Sequence, residues 1–377
     1  MKILHFYKTY LPDTVGGVEK VINQIIKSTS SLGFTSEVLA LSPGSGNRTV
    51  EVDGHRVHFS PTNIELASTP LSIAAISQFR QLADKADLIH YHYPYPFADF
   101  LHLTSNHNKP ALLTYHSDIV RQRNLLKLYR PLQRRFLNNI DHIVATSPNY
   151  LQTSTILKKF TTKTSVIPIG LDKKSYPEPS LERIAYWRSR YGQKFFLFIG
   201  VLRYYKGLHI LIEAMKNSTI PVVIVGAGPL ERQLKQHAHT LGASNIHFAG
   251  WLKEEDKVAL INLSYGIVFP SHLRSEAFGI SLLEGAMFGK PMISSEIGTG
   301  TTYININNDT GIVVPPDNPA ALRQAMVRLW NDADMAGKMG ANAHIRYKKL
   351  FTAARMGKDY AGLYRQLITR DNTNHKF

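Results

Sequence analysis

The chain has 377 residues, 44% hydrophobic and 19% charged, with glycine and proline spread along its length, a composition that excludes disordered and fibrous classes and suits two globular domains. It has no cysteine, which removes disulfides, thiolate metal sites and cysteine nucleophiles and fits a reducing cytoplasm. Its 44 basic and 28 acidic residues leave a formal charge of +16, which calls for a polyanionic partner: nucleic acid, nucleotide phosphates or an anionic membrane face.

The opening residues Met1-Lys2-Ile3-Leu4-His5 break their apolar run too early for a signal peptide, and no stretch approaches the roughly 18–20 apolar residues of a membrane span. The expectation is a soluble or peripheral cytoplasmic protein. A strand over Ile3–Tyr7 leads through Gly16-Gly17 into a helix with Val18, Val21, Ile22, Ile25 and Ile26 on one face, then a strand over Ser36–Leu41. Further short apolar runs follow at Asp87–Tyr91, Ala111–Tyr115, Ile143–Thr146 and Ser165–Ile167, separated by helix-length segments, as a parallel sheet requires. The pattern breaks at the proline-rich Tyr176-Pro177-Glu178-Pro179-Ser180. A second series then runs through Phe195–Ile199, Val222–Val225, Ile246–Phe248, Gly266–Phe269, Pro291–Ser294 and Gly311–Val314. The reading is α/β, two doubly wound domains over 1–178 and 179–355, and a C-terminal helix over 356–377 that closes back on one of them. Ligands of such sheets sit beyond the carboxyl ends of the strands, so the interdomain cleft is the expected site.

The most informative segment is Phe269-Pro270-Ser271-His272-Leu273-Arg274-Ser275-Glu276-Ala277-Phe278-Gly279-Ile280-Ser281-Leu282-Leu283-Glu284. On one helix, glutamates eight residues apart would stand about 80° apart and about 12 Å along the axis, so they are not a glycosidase carboxylate pair. With Glu276 on a loop and Glu284 on a helix they would grip two ends of an extended ligand, the amides of Gly279, Ile280 and Ser281 facing a phosphate.

Glu-x7-Glu in this setting resembles the donor-binding signature of retaining glycosyltransferases of the GT-B fold, family 4. Gly16-Gly17-Val18-Glu19, Tyr115-His116-Ser117-Asp118, Gly170-Leu171-Asp172, Lys206-Gly207, Val225-Gly226-Ala227-Gly228-Pro229 and Thr310-Gly311-Ile312-Val313-Val314-Pro315-Pro316 resemble family blocks in the same order, over essentially the whole chain. Phe6-Tyr7-Lys8-Thr9-Tyr10-Leu11-Pro12, Ser147-Pro148-Asn149-Tyr150, Tyr204-Tyr205-Lys206-Gly207 and Ser295-Glu296-Ile297-Gly298-Thr299-Gly300-Thr301 are similar to blocks of bacterial O-antigen mannosyl- and D-rhamnosyltransferases, which extend an N-acetylglucosaminyl-diphospho-undecaprenol lipid.

The resemblance implies a role for each matching residue. Arg203 and Lys206 would meet the donor diphosphate as charge accumulates on it; the commoner pattern has Arg directly after the strand glycine, where this chain has Val201, so the role passes to Arg203. Glu284 would hold the ribose and Glu276 the sugar ring, with Ala277, Phe278, Gly279 and Ile280 lining sugar and phosphate. Gly16 and Gly17 would let backbone approach the phosphates, and His116 would contact the transferred sugar near the reacting carbon. His90, His92 and Asp118 are expected at the acceptor.

Ile119–Leu137 carries six basic residues, Arg121, Arg123, Lys127, Arg130, Arg134 and Arg135, and no acid. It reads as a surface for an anionic inner-membrane face or a lipid pyrophosphate, kinked or divided at Pro131. Asp332-Ala333-Asp334 reads as surface; Gly226-Ala227-Gly228-Pro229 lacks the third glycine of a dinucleotide fingerprint; no His/carboxylate cluster has metal-site spacing. No metal or other cofactor is therefore expected. Mannose transfer from GDP-mannose, in α-linkage and α-1,3 in the favoured form, to a polyprenyl-diphosphate-linked acceptor is the leading reading. GDP-D-rhamnose is the near alternative. A nucleic-acid-binding protein is the remote one, disfavoured because aromatic and basic residues are not interleaved, and a phosphorylase or synthase on the same scaffold is a third.

Overall fold

The computed structural model describes residues 1–44, 46–119 and 123–374, in two compact units. The first unit holds Met1–Gly170 and the chain from Ala353 onward; the second holds Leu171–Thr352.

In the first unit the elements are β1 (Lys2–Phe6), α1 (Gly17–Ser30), β2 (Thr35–Ser42), β3 (Arg48–Val52), β4 (His55–Pro61), β5 (Ile64–Leu66), β6 (Thr69–Leu71), α2 (Ile73–Asp84), β7 (Leu88–Tyr93), α3 (Pro96–Thr104), β8 (Ala111–Tyr115), α4 (Arg123–Asn139), β9 (His142–Ala145), α5 (Pro148–Thr153) and β10 (Thr164–Val166). The eight-stranded sheet runs β10-β9-β8-β7-β1-β2-β4-β3, parallel except for the β3–β4 hairpin. Strands β7 and β8 are buried at every position, as a sheet covered on both faces requires. Helix α1 buries Val21, Ile22, Ile25 and Ile26 along one stripe. The order reverses between β1 and β7, so their carboxyl ends open a crevice.

The second unit contains α6 (Leu181–Tyr191), β11 (Phe196–Ile199), α7 (Leu208–Ala214), β12 (Val222–Val225), α8 (Glu231–Thr240), β13 (Ile246–Gly250), α9 (Glu254–Leu263), β14 (Gly266–Phe269), α10 (Ile280–Met287), β15 (Met292–Ser295), α11 (Thr301–Ile304), β16 (Gly311–Val314), α12 (Pro319–Asn331) and α13 (Ala333–Leu350). Its six parallel strands run β13-β12-β11-β14-β15-β16, reversing between β11 and β14. Phe196, Phe198, Leu211, Val222, Ile224, Val268 and Ile293 form its fully buried centre, each worth about 1.5–3 kcal/mol against exposure.

The unit boundary falls at 170/171, not at the expected 178/179. Within the proline-rich stretch the Tyr176 hydroxyl bonds Glu284 (3.0 Å), and the Leu171 N–H bonds the Phe351 carbonyl (2.9 Å). The composition break therefore trails the structural one. The last helix, α14 (Ala353–Asn374), starts three residues before the expected 356 and belongs to the first unit. Its Tyr364 meets the Phe34 ring edge-on (5.3 Å), and Arg365 donates to the Leu32 carbonyl (2.7 Å).

Candidate active site

In the second unit the residues predicted for the donor gather at the reversal between β11 and β14. After β11 the chain passes exposed Arg203 into a short 3-10 turn, Tyr204–Lys206. Gly207 closes that turn in the left-handed region (φ 68°), and a Cβ there would lie 2.0 Å from the Pro270 carbonyl oxygen, so only glycine lets the turn seat on the loop after β14. That contact brings the Lys206 Nζ within 2.5 Å of Glu276 Oε2, to which Ser271 Oγ also donates at 3.3 Å. The Lys206 ammonium stands 4.9 Å from the Phe269 ring centroid. Both members of the pair are nearly buried, where a charge interaction is strengthened by the low local dielectric. The Arg203 guanidinium has no acidic partner among the described residues.

His272 joins the two loops. Its backbone N–H donates to the Tyr205 carbonyl (3.1 Å), and its ring nitrogens face the Tyr204 carbonyl (3.0 Å) and the Asp317 carboxylate (2.5 Å). Arg274 donates to the Gly298 carbonyl (2.8 Å), and the Gly300 N–H to the Ala277 carbonyl (2.8 Å), docking the 296–300 loop on the same segment. Helix α10 begins directly after Phe278 and Gly279, so its leading amides lack intrahelical acceptors. The Ser281 hydroxyl ties that end to the Ile199 carbonyl at the tip of β11 (2.7 Å).

Glu284 lies inside α10, 3% exposed. One carboxylate oxygen, Oε1, accepts from Lys257 Nζ (2.7 Å) and the Tyr176 hydroxyl (3.0 Å); Oε2 accepts nothing among the described residues. Burial lowers the pKa of the Lys257 ammonium, but the Glu284 and Glu254 carboxylates outweigh it and hold it above its ordinary value. Burial and then Glu284 push Tyr176 far up. The carboxylate is thus fixed in place, with one oxygen left for hydroxyl donors. Lys257 and Tyr176 were not legible as site residues, because they lie 27 and 108 positions from Glu284.

In the first unit, His116 follows β8, with its N–H on the Tyr93 carbonyl (3.1 Å). Its Nε2 bonds His92 Nδ1 (3.0 Å), and His92 Nε2 bonds His5 Nδ1 (3.1 Å). The expectation of His90 at the acceptor is corrected: it is wholly buried on central strand β7, its Nδ1 on the Tyr364 hydroxyl (2.8 Å) and its Nε2 on the Thr114 hydroxyl (2.7 Å). His92 is likewise sealed, 1% exposed, and reaches outward only through His116. The Asp118 Oδ1 is engaged by the Tyr115 and Ser154 hydroxyls, both at 2.8 Å, which shapes the loop after β8. Gly16 caps α1, and the space its Cβ would occupy is filled by its own unit's Glu19 carboxylate (2.4 Å), which Thr9 Oγ1 holds at 2.7 Å. Gly16 is needed first for that local packing, and Gly17 opens α1.

Burial keeps these imidazoles neutral, with His5 and His116 lowered to about 3 and His90 and His92 also well below the ordinary value. An unfolded histidine takes up its proton near pH 6.5, so the unfolded chain binds more protons below that pH. Stability is full above about 6.5 and falls as pH drops toward 3. The urea midpoint is expected to decline steeply across that window, and the decline should flatten in His90→Gln and His116→Gln variants.

Helix α4 continues through Pro131 and is not divided there; Pro131 lies on the exposed face, where the carbonyl it leaves free meets water. Lys127, Arg130, Arg134 and Arg135 are exposed, with Leu128 81% exposed among them, and Phe136 and Leu137 face inward. Arg121 and the side chain of Arg123 lie outside the described residues. Asp332 is the N-cap of α13, accepting from the Met335 N–H (2.9 Å), a structural use of the Asp-x-Asp triplet. Gly226 and Gly228 pack on the backbone of Gly200 and Leu202, which explains that motif without a dinucleotide. Folding does assemble two groups that sequence spacing hides: His209, His272 and Asp317, and His5, His90 and His92, each with potential ligand atoms within 4.8 Å. In both, ring nitrogens already bond one another or a neighbouring acceptor.

Residues 15–175 match the family model Glycosyltransferase Family 4, and residues 183–346 match Glycosyl transferases group 1. The chain is 58% identical over 353 residues to the D-rhamnosyltransferase WbpZ of Pseudomonas aeruginosa, covering 94% of this chain and 93% of that protein. It is 49% identical over 368 residues to the O-antigen chain mannosyltransferase C of Escherichia coli, covering 98% and 99%. Among solved structures it is similar to a sucrose-phosphate synthase from Thermosynechococcus elongatus (TM-score 0.82, 21% identity, 98% and 99% covered) and to Anabaena HepE in complex with UDP (TM-score 0.75, 19% identity, 97% and 100% covered). The paired Rossmann-like sheets, the Lys206–Glu276 and Glu284 constellation and these matches agree: the chain belongs to glycosyltransferase family 4 and has the GT-B fold.

Proposed function

We propose that this enzyme is a retaining hexosyltransferase that moves mannose from GDP-mannose, in α-linkage and α-1,3 in the favoured form, to a polyprenyl-diphosphate-linked acceptor containing N-acetylglucosamine in O-antigen synthesis. The carrying observation is the constellation at the β11/β14 reversal: a fixed cation, Lys206, beside Glu276, and a Glu284 carboxylate held by one oxygen with the other free. Glu284 Oε2 takes the ribose hydroxyls, the start of α10 takes phosphate, and Glu276 exchanges Lys206 for sugar hydroxyls when the donor arrives. As the bond from the anomeric carbon to the diphosphate breaks, Lys206 and Arg203 meet the growing negative charge. The acceptor hydroxyl attacks the face that the diphosphate leaves, and the departing phosphate oxygen takes its proton. His116 contacts the transferred sugar.

Lys206, Arg203 and the α10 terminus supply the positive charge in this reading, so turnover is proposed to be independent of divalent metal. EDTA should leave the rate unchanged, and loss of activity restored by Mg2+ or Mn2+ would transfer that role to a cation.

A GDP-D-rhamnose donor is the second reading, favoured by the 58% identity to a D-rhamnosyltransferase. The two sugars differ by one hydroxyl, which a site discriminates through the polar groups left unpaired. Incubating the protein with GDP-mannose, GDP-D-rhamnose and UDP-sugars in turn, with a synthetic N-acetylglucosaminyl-diphosphate lipid, and following product mass decides between them. No product with either GDP-sugar would sink both.

The exposed basic face of α4, with Leu125 and Leu128, is proposed to lie on the anionic cytoplasmic face of the inner membrane, at about 1 kcal/mol per basic residue; among the described residues no helix is long and apolar enough to cross a bilayer. Replacing Lys127, Arg130, Arg134 and Arg135 by Ser should abolish cosedimentation with phosphatidylglycerol vesicles in low salt while leaving turnover on a short-chain soluble acceptor intact. Undiminished cosedimentation would exclude this surface.

A further inference from the structure

His5, His92 and His116 are joined end to end by two ring-to-ring hydrogen bonds, Nδ1 of His5 to Nε2 of His92 (3.1 Å) and Nδ1 of His92 to Nε2 of His116 (3.0 Å). A neutral imidazole owns one N–H and one lone pair, so placing a single proton fixes all three. The chain can point inward, each ring donating toward His5, or outward, each donating toward His116.

The buried end decides. His5 Nε2 is buried without a hydrogen-bond partner. In the inward arrangement it would be an orphaned N–H; in the outward one it is a spare lone pair. Orphaned buried N–H groups are the rarer and costlier defect. The other end does not discriminate, because His116 Nδ1 bonds nothing among the described residues and water or substrate can satisfy either form. His90 cannot interrupt the chain: both its nitrogens are occupied by Tyr364 and Thr114, and its ring stacks on His92 (4.4 Å) and lies tilted against His5 (4.8 Å), holding the rings in place.

We infer that His5 and His92 are positioning residues that lock His116 in the tautomer protonated at Nδ1, so that His116 meets the substrate as a hydrogen-bond donor and not as a base. The inference rests on the proposed contact between His116 and the transferred sugar. It accords with burial that keeps all three rings uncharged, and with a reaction in which the departing diphosphate takes the acceptor's proton. An N–H directed at a sugar oxygen donates to it and polarises it, whereas a lone pair there could only accept from a hydroxyl.

Long-range proton–nitrogen NMR of the full chain labelled with 15N-histidine tests this directly. His5, His92 and His116 are expected as Nδ1–H tautomers, the reverse of the Nε2–H form that a free histidine side chain favours; His116 protonated at Nε2 would overturn the inference. In His5→Met, which replaces the first donor by a thioether sulfur that can only accept, His92 is drawn to donate from Nε2 and His116 should shift toward Nε2–H. Turnover should fall about tenfold, the scale of losing an orienting partner, with donor KM changed less than about twofold. His5→Gln, whose amide can donate to His92, should restore both. A His5→Met enzyme with wild-type turnover and unchanged His116 tautomer would remove His5 from the role. Failure of the underlying reading looks different: wild-type turnover in His116→Ala would sink the substrate contact, while the tautomers of the intact protein would still report the chain's polarity.

Discussion

Lys206→Ala is expected to lower kcat by at least about a hundredfold, with a smaller change in donor KM. The ammonium is held by Glu276 and by the turn that Gly207 closes against Pro270, so it is already in place when the diphosphate begins to leave. A preorganised charge of this kind acts most strongly where charge develops, and losing one such contact costs about two to three orders of magnitude. The same substitution strips Glu276 of its ionic partner and leaves only the Ser271 hydroxyl among the described residues. Breaking a buried pair costs about 3 kcal/mol or more, so the thermal midpoint should fall too. Glu276→Gln combined with Lys206→Met removes the orphaned charge and should recover stability without recovering turnover. Unchanged kcat in Lys206→Ala would refute the assignment.

Glu284→Ala is expected to act on binding. A charge-assisted bond to hydroxyls is worth about 1.5–3 kcal/mol, so donor KM should rise roughly ten- to a hundredfold while kcat at saturating donor changes little. Stability should drop as well, because the nearly buried Lys257 would keep only Glu254, whose own side chain is 40% exposed. Calorimetric titration with GDP isolates the binding part: nucleotide affinity equal to wild type would remove Glu284 from the ribose.

Much of this architecture was legible because parallel strands buried on both faces read as continuous apolar runs. Ala111–Tyr115, Val222–Val225, Gly266–Phe269 and Gly311–Val314 stand where the sequence places them. The β3–β4 hairpin escaped notice although Asp53-Gly54, both at positive φ (46° and 80°), carry the strongest short-range turn signal there is. The Glu-x7-Glu reading held geometrically, with Glu276 on a loop and Glu284 on α10. What the sequence hid are contacts between distant segments. Tyr176 sits in the stretch taken for a linker, and its proline-rich neighbours masked a side chain that orients Glu284. The histidine chain depends on strand register: β1 pairs with β7 so that His5 lies beside His90. The alternation His90-Tyr91-His92 was a visible clue to one face, but only the pairing of β1, β7 and β8 shows which rings meet.

The closing helix carries a consequence for how the molecule is made. Because α14 completes the first unit, residues 171–352 are an insertion within it. A nascent chain leaving the ribosome can finish the second unit while the first still lacks Tyr360 and Tyr364, which bond Thr114 and His90. At ordinary elongation rates that wait lasts roughly 10–40 s. The earliest residues translated are thus among the last to reach their native surroundings, and a stop codon just before Ala353 would spare the second unit while leaving the histidine-bearing first unit unfinished.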